Sequence, residues 1–94
     1  MAIGPKSLAR PTSGELAIAQ YKRSLAIDAS YISAHTNLAL AYEKAGGRDA
    51  EAVATWGRVL EMGTERRLPH YVEIATRHLQ ALVHGREAEG EGVR

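Results

Sequence analysis

Displacing the sequence along itself by 35 positions lays Ala17 on Ala52, Ile18 on Val53, Ala19 on Ala54 and Tyr21 on Trp56. The same displacement lays Arg23 on Arg58, Leu25 on Leu60 and Ile27 on Met62. A weaker correspondence at 36 positions sets His35 on Tyr71, Leu38 on Ile74, Ala39 on Ala75 and Tyr42 on His78. Self-similarity at a period of roughly 20–50 residues marks chains built from stacked supersecondary units, each burying its apolar face on the next. That excludes most folds before any element is assigned.

The repeated unit is helical. Four segments carry apolar residues at steps of three and four. The first opens at Thr12-Ser13-Gly14-Glu15, the spelling of a capping box, and runs to Ile27 with Leu16, Ala17, Tyr21, Ser24, Leu25 and Ile27 as its inner stripe. Asp28-Ala29-Ser30 is turn chemistry, with Ser30 placed to cap the second helix. That helix runs from Tyr31 to Ala45 and stops at Gly46-Gly47, where left-handed backbone costs a glycine nothing. The third spans Asp49 to Met62, ending at Gly63-Thr64. The fourth opens at Leu68-Pro69 and continues to His84, with Gly85 as its terminator. Connections this short force neighbouring helices into antiparallel hairpins.

Composition supports helix on helix. Of the chain's hydrophobic residues, 16 are Ala and only five are Tyr or Trp, with no Phe. Such a core needs closely approaching elements, and Ala favours helices over strands. The 94 residues suit one domain. Residues 1–14, with Gly4-Pro5 and Pro11, read as a disordered extension. Residues 15–84 form the helical domain, and 85–94 a polar, frayed tail.

Several function classes fall away. Twelve Lys and Arg balance eleven Asp and Glu, and the longest basic runs are the pairs Lys22-Arg23 and Arg66-Arg67, so nucleic acid is not an expected partner. No apolar stretch approaches the roughly 20 residues that span a bilayer. Residues 1–14 lack the unbroken apolar run of an export signal, and the expected location is the cytoplasm. Without Cys there is neither a disulfide framework nor a thiolate nucleophile. No G-x-S-x-G, G-x-x-x-x-G-K-[ST] or G-x-G-x-x-G string occurs. His70, His78 and His84 stand 8 and 6 apart, not at the four-residue step of a helical zinc pair. His78 and His35 read instead as large packing residues, and Glu43, Glu51 and Glu61 as a solvated face. No catalytic residue, metal or cofactor is expected.

Residues 34–62 resemble a tetratricopeptide repeat. His35, Leu38, Ala39 and Tyr42 occupy the large, Leu, small and Tyr places of that family's first helix. Gly46 stands at its turn, and Ala52, Trp56 and Val59 stand in its second helix, with one extra residue in the GGRD turn. Leu16 to Ser30 resembles the second helix of a preceding repeat, with Ala17 and Tyr21 in the Ala and aromatic places and Ala29 where the family has proline. The resemblance extends over 15–84. Its departures are a missing first helix before residue 15 and Arg77 where a small residue packs, as in a polar capping helix.

This resemblance implies one complete repeat flanked by two half repeats. The architecture is all-α, with antiparallel helix hairpins stacked as a short right-handed solenoid of about four helices. It implies a noncatalytic scaffold holding a peptide or helix of another protein in a concave groove. The groove positions are Ser33, Thr36, Asn37, Leu40, Glu43 and Lys44 on the second helix and Val72, Glu73 and Thr76, beside Pro69 and Leu79, on the fourth. The Asn37 amide either pairs with an extended peptide backbone or satisfies a neighbouring loop or water. Glu73 stands where members that clamp a chaperone's terminal carboxylate want a base, so that ligand is not expected. Two other readings compete. The side of the first helix carrying Leu16, Tyr21 and Ile27 is left open, which suits a homodimer or an incoming partner helix. Alternatively, the chain is an excerpt of a longer protein.

Overall fold

Thr12 begins the first helix through its hydroxyl. In the computed structural model, which describes residues 12–92 and side-chain surroundings as far as Gly85, Thr12 Oγ1 accepts the Glu15 N–H at 3.1 Å. The helices are α1 (Ser13–Ile27), α2 (Ile32–Ala45), α3 (Asp49–Glu65) and α4 (Pro69–Gly92). No strand occurs among the described residues. Each helix packs on its neighbour in the chain, α1 on α2, α2 on α3 and α3 on α4, as the short connections require. The architecture is an all-α stack of helix hairpins. The extension assigned to 1–14 lies outside the described residues up to Pro11, as do Val93 and Arg94 of the tail.

The core follows the repeat. Ala39, Ala52 and Ala75, on α2, α3 and α4, have no solvent exposure, and neither do Trp56 and Val59. Three alanines at helix contacts let backbones approach closely, and Trp56 fills the wider space between them. Ile18, Ile32, Leu38, Ala41, Tyr42 and Met62 belong to the same cluster.

Symmetry fails at α1. Its buried residue is Ile18, whereas Leu16 is 55% exposed, Ile27 is 83% exposed and Ser24 also faces solvent. The expected inner stripe holds at Ala17, Tyr21 and Leu25 and is corrected at Leu16, Ser24 and Ile27, because no described helix covers the far side of α1. Ala17, Tyr21 and Leu25 are half-buried. Met62, the counterpart of Ile27, is 1% exposed because α3 continues as helix to Glu65, whereas α1 gives way to extended backbone at Asp28.

Three helix ends differ from expectation. Ser30 does not cap α2. Its N–H and its hydroxyl both donate to Asp28 Oδ1, and Tyr31 precedes the helix without a side-chain cap. A local Asp–Ser turn has outcompeted the cap. These bonds, the hydroxyl first, hold the Asp28 carboxyl below the usual carboxylate range, and the nearby Arg66 charge adds to the effect.

Gly63 does not end α3 either. It is buried inside the helix, where an added Cβ would lie 3.2 Å from Val72 Cγ2 and 3.3 Å from Tyr71 Cβ. Its role is close packing of α3 on α4. The residue that reverses the chain is Arg67, at φ 57. The Leu68 N–H reaches the Gly63 carbonyl at 2.8 Å and the Arg67 N–H reaches Thr64 at 3.3 Å, a Schellman ending.

A left-handed non-glycine residue costs about 1–2 kcal/mol, against about 0.5–1 kcal/mol for glycine's greater freedom when unfolded. Arg67→Gly is therefore expected to stabilise the fold by about 0.5–1 kcal/mol, read as a higher thermal midpoint.

Gly85 likewise fails to stop α4, which runs on to Gly92. Only Gly46 and Gly47 among the described glycines have positive φ. A helical glycine weakens a helix by about 1 kcal/mol relative to alanine but removes no hydrogen bond.

Candidate functional site

Two clefts lie beside this stack. The first, of about 500 Å³, is lined by Ala17 and Tyr21 of α1 and by Asn37, Leu40, Ala41, Glu43 and Lys44 of α2. Leu40 is 41% exposed, more than a packed leucine would be. Neither the Asn37 amide nor the Lys44 ammonium is bonded to another described residue. The cleft thus combines an apolar floor with an uncommitted amide and an uncommitted cation.

The second cleft, of about 580 Å³, lies where α3 hands over to α4. Gly63, Thr64, Arg67, Leu68, Pro69, Val72 and Glu73 line it.

The nine groove positions expected from the sequence therefore divide. Asn37, Leu40, Glu43 and Lys44 share the first cleft, and Val72 and Glu73 belong to the second. Ser33, Thr36 and Thr76 line neither. Ser33 is exposed, Thr76 is half-buried, and the Thr36 hydroxyl donates to the Ile32 carbonyl at 2.9 Å. Leu79, also expected on the groove, packs against the core. Tyr21, expected on the inner stripe of the first helix, packs against the core and, being half-buried, also forms a wall of the first cleft.

Glu43 departs furthest from its sequence reading as part of a solvated face. One oxygen, Oε2, accepts the Trp56 indole N–H and lies 2.8 Å from His78 Nδ1. The His78 ring stacks on Trp56, with centroids 4.3 Å apart and planes 21° from parallel. Three helices thus meet at one carboxylate oxygen. A buried indole N–H needs an acceptor, and that requirement alone could have flagged an acidic partner for Trp56. Donation from Nδ1 also means that this nitrogen carries a proton, in the neutral or the charged ring. The expectation that His78 takes the place of a packing tyrosine agrees with its stacking; its bond to Glu43 is additional. His35 likewise acts locally, its Nε2 donating to the Ala29 carbonyl at 2.9 Å.

Among the described residues, no group of three or more His, Asp or Glu converges on a point where a metal ion would sit. No described helix is long and apolar enough to cross a membrane.

Stacked antiparallel helix pairs with exposed clefts between them define a helical-repeat protein. Residues 15–46, covering α1, its turn and α2, match the family model described as TPR repeat. That segment is similar to the tetratricopeptide-repeat family, whose members are generally protein–protein interaction modules. The match lies one helix upstream of the unit read at 34–62, and in a tandem array each adjacent helix pair repeats similar packing. No curated protein and no solved structure matches the chain.

Proposed function

We propose that this chain is a noncatalytic interaction module that holds a short extended or helical segment of a partner protein in the cleft between α1 and α2. The observation that carries this reading is the set of uncommitted groups there: the Asn37 amide and the Lys44 ammonium beside the exposed Leu40. An amide can donate to and accept from a peptide backbone, and Leu40 offers apolar surface to an anchoring side chain. Tyr21 supplies a rigid second wall. The module is expected in the cytoplasm.

The test is a double substitution on the exposed face of α2. Asn37→Ala with Leu40→Asp is expected to weaken a partner captured by pull-down at least about tenfold in titration calorimetry, from the lost hydrogen bonds and apolar contact. Far-ultraviolet circular dichroism is expected to stay unchanged, because both side chains are exposed. Normal binding by the double variant would place the contact elsewhere.

A further inference from the structure

The turn after α1 and the turn after α3 lie at one edge of the stack, tied by Arg66 Nη1 donating to the Ser30 carbonyl at 2.7 Å. A knob and a hole stand on this edge. The knob is Ile27, 83% exposed, although its repeat counterpart Met62 is 1% exposed. The hole is the second cleft, floored by Leu68, Pro69 and Val72, with Arg67 and Glu73 on its rim.

Charge matches shape. Exposed Arg23, one helical turn before Ile27, and exposed Asp28, directly after it, give the knob one cationic and one anionic flank. The hole carries the same pair of signs in Arg67 and Glu73. Glu73 makes only an exposed 3.5 Å pair with Arg77, and the Arg67 guanidinium is bonded to no other described residue. Arg67 also holds the left-handed conformation in which glycine is unstrained, so within one copy its side chain has a conformational cost and no bond.

We propose that two copies of this chain pair through this edge. Ile27 of each copy seats in the second cleft of the other, with Asp28 facing Arg67 and Arg23 facing Glu73. Because one edge carries both features, a two-fold arrangement fills both holes at once and leaves no open end for further growth. A foreign segment would need to supply this combination of knob and flanking charges, which the chain already carries. One knob and two charge pairs per copy make a small contact, so the dimer is expected to be weak, with a dissociation constant on the order of micromolar or above.

Sedimentation velocity from about 5 to 500 μM tests this, with Ile27→Ser and Arg67→Gly beside the unaltered chain. The expected result is a concentration-dependent dimer that each substitution weakens at least about tenfold, and that high salt also weakens. Arg67→Gly relieves backbone strain, so loss of its dimer together with an unchanged or raised thermal midpoint cannot be ascribed to unfolding. A chain that stays monomeric throughout overturns the proposal, as does a dimer that either substitution leaves intact. The proposal is independent of the α1/α2 cleft, and Leu40→Asp is expected to leave the dimer unchanged.

Discussion

Trp56→Ala is expected to cost about 3–5 kcal/mol of unfolding free energy, the range for truncating a fully buried aromatic. Trp56 is the largest side chain with no solvent exposure, in a core that has no phenylalanine to take over its volume. The substitution removes more than volume. Glu43 loses the indole donor, and His78 loses the ring on which it stacks. The Glu43 carboxylate then keeps only its contact with His78, across α2 and α4. A body of this size is expected to have roughly 4–12 kcal/mol of stability in all, so the variant lies near the folding threshold. Urea unfolding followed by circular dichroism is the measurement, because the indole fluorophore is gone. Trp56→Phe, which restores most of the volume without the N–H, is expected to fall between the two. A midpoint unmoved by Trp56→Ala would contradict the packing of all three helices.

Ala39→Leu is expected to destabilise by about 2–3 kcal/mol, through overpacking rather than a cavity. Ala39 is inaccessible, as are Ala52 on α3 and Ala75 on α4, so three extra carbons would push helices apart. The same change at Ala17 makes the control. Ala17 occupies the α1 place that corresponds to Ala52, but it is half-buried on the wall of an open cleft. Ala17→Leu is expected to stay within about 1 kcal/mol of the parent, since the new side chain can extend into the cleft. Thermal unfolding of the two variants side by side checks both numbers. Equal losses would show that α1 is covered at Ala17 as fully as α2 is at Ala39.

The candidate site was half legible. Asn37, Leu40 and Lys44 follow from helical spacing on α2, and the structure brings them to one cleft. Ala17 and Tyr21 pack against the core as the repeat implies but also line the cleft, because they are only half-buried where Ala52 and Trp56 are inaccessible, and equivalence in sequence does not carry equivalence in coverage. Glu43 follows from the same spacing as a groove position, but nothing near it in the sequence marks its bonds to Trp56 and His78. Its bonds join positions 13 and 35 residues away, and local spacing says nothing about such pairs. Arg67 was visible only as half of a basic pair, because a left-handed backbone at a non-glycine residue cannot be read from composition.

By itself the sequence determined the helices, their order and their pairing. Periodicity at three and four residues, alanine at the contact positions and connections too short for any other arrangement are local properties, which a chain carries before it folds. It also marked Ala39 and Ala52 as small contact positions, and both are inaccessible. Only the tertiary structure decided which repeated positions stay exposed, where the helices end, and which polar groups meet. Ile27 and Met62 are equivalent in the repeat yet opposite in exposure, because burial depends on how far each helix continues and on what covers it. Gly63 and Gly85 look like stops, but one is a packing contact and the other a helical residue, since glycine permits a left-handed turn without requiring it.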